Sequence, residues 1–417
     1  MKTTDSTHLR TPAPSQGATG AALARAALLA VATLATTAAC NDSSSLPLPS
    51  AASQVLFSPE GNNLWAYGTE PPFTAQKVNT ANHAFDETPE DPGDAVEDPN
   101  GWDINGQICF FRQAGATYMV SGEDTHQPDP PAGWGIFRLD GRGLGDFSIE
   151  RVGRLVPTYQ PTPDGPDNFG CGLLSDGRLV TTDIGNNELG AANGQLTVWF
   201  PPLDRFEVPY CKIDLELATG QQVWISPGDD VYVVSPRPAP QSSATASGVF
   251  RYRGPFPTSP DAAGGCGRVD ALGSPLADSL RKEKVLAAGD HGLVSPSGIV
   301  GTPGGHFYVS SVITGVINEY DADWTFVRTV LSPPAGESIG ATTYSTGTPL
   351  GLALGRDGTL FYADIGIVFN GSSFGPGRRN GSVRRIVFTD GEPGAPETIA
   401  SGLLFPDALG LWPPDID

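Results

Sequence analysis

Histidine, the side chain used most often for acid–base catalysis, is scarce in this sequence. Beyond the first forty residues its histidines are His83, His126, His291 and His306, and no two of them form a recognisable dyad motif. The sequence also lacks the motifs of serine hydrolases, phosphate-binding loops and dinucleotide-binding folds. The remaining candidates are side chains with oxygen ligands, because Asn and Asp recur at the opening turns of a repeated segment.

The elements that position these residues come from that repeated segment. "GPDNFGCGLLSDGRLVTTDIG" (165–185) passes from a turn into a short apolar strand, turns at Asp-Gly and forms a second strand, and "TPLGLALGRDGTLFYADIG" (348–366) has nearly the same construction. Six copies begin at Asp98, Gly165, Leu217, Ser295, Thr348 and Phe405. Starts that lie about 50 to 80 residues apart indicate units of four strands that bury their faces against each other.

The last copy, "FPDALGLW", ends five residues before the C-terminus and lacks partner strands. Residues 53–68 carry a turn and an apolar strand that can complete it. We therefore predict an all-β fold, a six-bladed β-propeller over residues 54–417 that is closed by strands from both termini. A helical fold disagrees with the density of turns, and a sandwich does not explain the long-period repeat.

The net charge of the chain disfavours some classes of binding partner. The formal net charge of −21 disfavours nucleic acid and anionic membrane surfaces. It is compatible with cation binding or with the solvated acidic surface of an exported protein. The acidic run 85–99 lacks the ligand spacing of an EF-hand and is predicted to be a solvated loop.

The first forty residues are predicted to be an export signal. Lys2, Arg10 and Arg25 precede an apolar run, 26–39, that is too short to span a membrane. The end of the run and the next residue read Thr-Ala-Ala-Cys (37–40). This sequence resembles a bacterial lipobox and predicts lipidation of Cys40. The chain would then face the periplasm or the cell surface, with residues 41–53 as a flexible tether. The alternative is an ordinary signal peptide that is cut after Ala39.

Four cysteines remain once Cys40 is set aside. An even number in an exported chain indicates disulfides. Of the three possible pairings we predict that of sequence neighbours, Cys109 with Cys171 and Cys211 with Cys266. Each pair would connect adjacent structural units. Buried free thiols are the alternative.

The recurring order of turn, Gly, apolar pair, Asp-Gly, apolar triplet and Ala/Ser/Thr-Asp resembles NHL-repeat propellers. It also resembles the six-bladed superfamily of senescence-marker-protein-30, gluconolactonases, paraoxonases and strictosidine synthases. The resemblance extends over roughly residues 53–415 and consists of short motifs that recur along the chain.

This resemblance implies a ligand site at the mouth of the propeller axis, where the copies open. In its lactonase branch a divalent cation lies there, held by Asp or Glu and several Asn or Asp side chains. Asp407, Asn100 and Asn168 match that type, and hard oxygen ligands suit Ca²⁺. The remaining opening positions depart from the pattern and are Thr219 or Gln221, Ser297 and Leu350. The alternative is that all three matching residues only form turns.

Two further aspartates, Asp183 and Asp364, recur in "TDIG" and "ADIG" at the end of a second strand. We interpret them as staples that bond the backbone of the neighbouring strand.

Three functions are consistent with these observations. The first is an NHL-like propeller, monomeric, that presents a binding surface at the axial mouth to a small molecule or to an exported protein or glycan. The second is a cation-dependent lactonase or esterase, in which the metal polarises a carbonyl. The third is a quinoprotein sugar dehydrogenase, because residues 380–411 resemble the end of such proteins. Their His base beside several Arg is missing from the sequence.

Overall fold

A computed structural model describes residues 54–83, 97–123, 133–159, 168–184, 194–217, 219–236, 247–369, 371 and 374–412. The predicted leader, Cys40 and the tether lie outside these residues. Within the described part, no helix has the length and apolar character needed to cross a membrane.

The described chain forms six blades around an axis, each with four main antiparallel strands. Blade 1 contains β1 (Val55–Glu60), β2 (Asn63–Gly68), β3 (Ala75–Asn79) and, from the far end of the chain, β30 (Gly410–Trp412). Blade 2 contains β4 (Ile104–Gln113), β5 (Ala116–Glu123), β6 (Gly133–Asp140) and β7 (Ser148–Leu155). Blade 3 contains β8 (Asn168–Leu173), β9 (Leu179–Asp183), β10 (Gly194–Trp199) and β11 (Tyr210–Leu217).

The other three blades repeat this order. Blade 4 contains β12 (Val223–Ile225), β13 (Val231–Ser235), β14 (Gly248–Arg253) and β17 (Arg281–Ala287). Blade 5 contains β18 (Pro296–Gly301), β19 (Phe307–Ser311), β20 (Val316–Tyr320) and β21 (Phe326–Leu331). Blade 6 contains β22 (Pro349–Leu354), β23 (Leu360–Asp364), β26 (Gly381–Ile386) and β29 (Glu397–Leu403).

Short elements decorate this ring. They are β15 (Arg268–Val269), β16 (Pro275–Leu276), β24 (Ile367–Phe369), β25 (Phe374–Pro376), β27 (Phe388–Thr389), β28 (Glu392–Pro393) and the 3₁₀ turns Ala262–Gly264 and Asp290–Gly292. The predicted all-β, six-bladed propeller is confirmed.

Burial explains why the inner strands read as apolar runs. Every residue of β13 and of β23 is buried, because both faces of a blade pack against neighbouring blades. The outer strand β29 alternates more and is largely exposed. Each pair of neighbouring blades therefore shares an apolar cluster, and these clusters form the core of the protein.

Blade 1 combines strands from both ends of the described chain. β30 is its innermost strand and pairs with β1, where Val55 faces Trp412 and Phe57 faces Gly410. The ring of Trp412 meets that of Phe110 on blade 2 edge to face at 5.2 Å. Leu411 packs into the cluster between blades 1 and 6. The C-terminal strand thus contacts both neighbouring blades.

Two buried glutamines connect the inner strands across the axis. The side-chain oxygen of Gln107 on blade 2 accepts the N–H groups of Cys171 and Val223, at 2.9 and 3.0 Å, and its amide donates to the carbonyl of Val223 at 2.9 Å. Gln222 on blade 4 bonds blades 5 and 6 in the same manner, through Ile299 and Leu352. Both side chains are fully buried between the inner strands that they join.

Both predicted disulfides are present. Cys109–Cys171 joins the inner strands of blades 2 and 3, with a Cα–Cα distance of 6.1 Å. Cys211–Cys266 joins the outer strand of blade 3 to the insertion between β14 and β17, at 6.3 Å. That insertion adds β15 and β16 to the edge of blade 3, where the fully buried Lys212 and Asp270 form an ion pair at 2.5 Å.

Candidate functional site

The candidate site lies at the mouth of the axis, the end of the ring at which the first strand of each blade begins. Because the first two strands are antiparallel, the second strand ends at the same level. In blades 3, 5 and 6 the register pairs Asn168 with Asp183, Pro296 with Ser311 and Pro349 with Asp364. The last residues of the six second strands are Glu60, Glu123, Asp183, Ser235, Ser311 and Asp364.

Three of these residues bond the segment that leads into the first strand of their own blade. The side chains of Ser235, Ser311 and Asp364 each accept the N–H of the residue sixteen positions earlier, at 3.2, 3.0 and 2.7 Å. Asp364 is fully buried, and it also accepts the hydroxyl of Ser382 at 2.6 Å and pairs with Arg384 at 3.3 Å. The interpretation of Asp364 as a backbone staple is confirmed.

Two of the three residues predicted to bind Ca²⁺ flank the same glycine. Oδ2 of Asp407 accepts the N–H of Gly106 at 3.2 Å. On the other side, a Cβ on Gly106 would lie 3.0 Å from the carbonyl oxygen of Asn168. Gly106 has a φ of +75°, so this approach of three blades requires glycine.

The third predicted ligand, Asn100, lies elsewhere. It is exposed in a turn, where its backbone N–H and side chain bond Asp98 at 2.9 and 3.4 Å. The residue two positions on, Trp102, exchanges hydrogen bonds with Asn79 at the end of the outer strand of blade 1. Asn105, next to Gly106, occupies the position at the mouth that we assigned to Asn100.

The remaining opening positions provide no cation cage either. Leu350 is buried in an apolar cluster on the axis. The hydroxyl of Ser297 already has two backbone partners. It donates to the carbonyl of Ser295 at 2.8 Å and accepts the N–H of Val312 at 3.1 Å. The full cluster comprises Phe169, Ile184, Val312, Leu350, Ile365, Ile367, Phe405 and Ala408. The described residues contain no group of three or more His, Cys, Asp or Glu side chains placed to hold a metal. The predicted set therefore does not fit a Ca²⁺ site on the axis.

Polar side chains instead meet on the side of the mouth between blades 2 and 3. Asp183 lies opposite Asn168, and the amide nitrogen of Gln195 donates to its Oδ2 at 3.1 Å. All three residues are buried and follow one another across the first three strands of blade 3. The hydroxyl of Tyr159, which follows the outer strand of blade 2, donates to Oδ1 of Asn168.

Blade 2 contributes charge to the same place. Glu123 is 4% exposed and pairs with two guanidinium groups, Arg151 at 2.8 Å and Arg154 at 2.7 Å. Its neighbour Gly122 abuts the backbone of Asn168, where an added Cβ would meet the carbonyl oxygen at 2.6 Å. We call the six side chains of Glu123, Arg154, Tyr159, Asn168, Asp183 and Gln195 the blade 2–3 cluster.

The charges of the cluster and its burial affect the pKa of Tyr159. Burial, the larger cause, and the carboxylate of Asp183 raise the pKa of Tyr159 well above its usual value, and the charge of Arg154 opposes that rise. The phenol therefore stays protonated at any physiological pH and acts as a donor in the blade 2–3 cluster.

A His–Asp pair lies on the rim of the mouth near blade 1. Nδ1 of His83 is 3.0 Å from Oδ2 of Asp103, and the backbone N–H of His83 donates to the other oxygen at 2.6 Å. The imidazole is half exposed, and Asp103 is buried. No sequence motif indicated this pair, because its members lie twenty residues apart.

Comparisons with known proteins extend only to the fold. Neither protein-family models nor curated proteins match this sequence. A luciferin-regenerating enzyme is similar in structure, with a TM-score of 0.50 and 12% identity over 92% of this chain and 97% of that one.

Two further similar structures are bacterial. A calcium-binding protein, regucalcin, from Agrobacterium tumefaciens has a TM-score of 0.41 and 13% identity, over 79% of this chain and 88% of that one. A gluconolactonase from Xanthomonas campestris has a TM-score of 0.41 and 14% identity, over 74% and 83%. The resemblance predicted from the repeat is confirmed at the level of the fold, since the described chain forms six blades of four main strands.

Proposed function

We propose that this protein is an exported, lipid-anchored propeller that binds a small polar molecule at the axial mouth, in the blade 2–3 cluster. The observation that carries the proposal is the concentration of buried carboxylate, guanidinium, amide and phenol groups between blades 2 and 3. Elsewhere the mouth contains an apolar cluster, and the polar side chains of Asp407 and Ser297 bond the backbone. Binding sites of this kind combine an apolar wall with a few converging polar groups.

Binding is better supported than metal-assisted hydrolysis. The hydrolase alternative depends on a cation that polarises a carbonyl, and Asn100, one of the three residues predicted to hold Ca²⁺, lies away from the other two. The dehydrogenase alternative rests on residues 380–411, and that segment forms the four strands β26 to β29 and the first residues of β30. Most of it thus belongs to blade 6 of the propeller.

The repeated aspartates supply a matched pair of variants. A library of small polar metabolites is screened by thermal shift, and the affinities of the hits are then measured in Asp183→Asn and Asp364→Asn. We expect Asp183→Asn to weaken the hits about tenfold or more, because it removes a charged acceptor from the site. Asp364→Asn should lower the free energy of unfolding by about 1–3 kcal/mol and leave their affinities unchanged. Hits that bind Asp183→Asn as tightly as wild type would contradict the proposal.

The anchor is a separate part of the proposal and is supported by the lipobox-like end of the leader. We expect the wild-type protein in the membrane fraction and Cys40→Ser in the soluble fraction, since lipidation requires the thiol. Fractionation followed by immunoblotting measures this. A wild-type protein that is fully soluble without detergent would rule the anchor out.

A further inference from the structure

Two polar atoms of the blade 2–3 cluster are buried and have no hydrogen-bond partner within the described structure. They are Nδ2 of Asn168, a donor, and Oε1 of Gln195, an acceptor. The two residues are 4% and 1% exposed. Buried polar atoms are nearly always paired in folded proteins, and leaving one unpaired is costly. A ligand that supplies both missing partners would remove that cost.

Neighbouring hydrogen bonds determine which atom of each amide is left over. The nitrogen of Gln195 faces Oδ2 of Asp183, and reversing the amide would bring two acceptors together. The phenol of Tyr159 donates to Oδ1 of Asn168, which leaves Nδ2 of that amide over. The blade 2–3 cluster therefore lacks one acceptor and one donor.

The formal charges of Glu123, Asp183, Arg151 and Arg154 sum to zero, and both guanidinium groups pair with Glu123. The carboxylate of Asp407 is outside the cluster, where it accepts the N–H of Gly106. A charged ligand would add a buried charge without a counterion, and such a charge is strongly penalised. An uncharged ligand avoids that penalty.

The spacing of the strands indicates how the ligand groups are arranged. Asn168 begins the first strand of blade 3 and Gln195 lies on the third, so their backbones are about 9–10 Å apart at the usual strand spacing. One ligand atom cannot serve both side chains as easily as two neighbouring atoms can. We propose that the blade 2–3 cluster binds an uncharged ligand with vicinal hydroxyl groups. One hydroxyl would accept from Asn168 and the other would donate to Gln195. This inference rests on the proposed function.

The test uses four probes built on one ring, namely cis-cyclohexane-1,2-diol, cyclohexanol, cyclohexanecarboxylate and cyclohexylammonium. Their affinities for the full-length protein are measured by ligand-observed NMR. We expect the diol to bind about tenfold more tightly than each of the others, because only the diol satisfies both atoms without adding charge.

Gln195→Met tests the role of the unpaired oxygen. It keeps the length of the side chain but removes that oxygen together with the hydrogen bond to Asp183, so we expect a lower Tm from the lost bond and about a tenfold loss of diol affinity. Gln76→Met is the control. The amide of Gln76 lies outside the blade 2–3 cluster, accepts the N–H of Gly145 and donates to the carbonyl of Phe147. This variant should retain diol binding.

Several results would overturn the inference. A lower Tm in Gln195→Met with unchanged diol affinity would make the cluster purely structural. Tighter binding of the carboxylate or the ammonium probe would refute the uncharged ligand. If metabolite hits depend on Asp183 and the diol does not bind, the inference fails and the proposed function stands. If no metabolite hit depends on Asp183, the proposed function fails as well.

Discussion

Deleting residues 410–417 is expected to abolish the cooperative unfolding transition of the propeller. The deletion removes β30, and with it the side chains of Leu411 and Trp412, which are 2% and 5% exposed. Truncation of one large buried side chain costs about 2–5 kcal/mol, and a whole domain is stable by only about 5–15 kcal/mol. The second strand of blade 1 also loses its pairing, and two blade faces become exposed.

The control is a chain that lacks only residues 413–417. It keeps β30 and should melt within a few degrees of the full-length protein. Calorimetry or circular dichroism measures both variants. Equal melting temperatures for the two deletions would contradict closure of the ring by the C-terminal strand.

Gln107→Leu is expected to lower the free energy of unfolding by about 3–5 kcal/mol. The leucine fills the space, but two backbone N–H groups and one carbonyl on blades 3 and 4 lose their partner at the axis. Each buried group left unpaired costs about 1–3 kcal/mol.

Gln76→Leu is the matched control, since the amide of Gln76 is also fully bonded but is only partly buried. Water can replace its partners, so the cost should stay below about 1.5 kcal/mol. Chemical denaturation measures both. Equal losses in the two variants would mean that the glutamine at the axis has no special role in joining the blades.

The fold was predictable because one structural unit is repeated. A single copy is ambiguous, but six copies with the same order of turn and strand leave few architectures. The disulfide pairing was also accessible, since sequence neighbours lie on adjacent blades or on an adjacent insertion.

The position of the mouth residue on blade 2 was not predictable from the turn alone. The sequence "DPNGWDINGQ" contains two Asn-Gly pairs, at Asn100 and at Asn105. Both pairs are typical of turns, and only the pairing of Ile104 with Glu123 shows which one opens the inner strand. The first pair forms an ordinary exposed turn, and the second lies at the axis.

The blade 2–3 cluster was hidden for a related reason. Its members belong to several strands of two blades, and inter-blade packing brings them together. The sequence also presents Asp183 and Asp364 as equivalents. Asp364 staples its own blade, whereas Asp183 faces Gln195 in the cluster. The difference comes from the neighbouring strands, which the local motif does not encode.

The most direct test of ligand binding in the blade 2–3 cluster is a crystal structure. Crystals of the protein are soaked with the tightest-binding hit from the metabolite screen. We predict electron density for the ligand between blades 2 and 3, within hydrogen-bond distance of Asn168, Asp183 and Gln195. Density only at the rim near His83 and Asp103, or only on the outer surface of the ring, would contradict it.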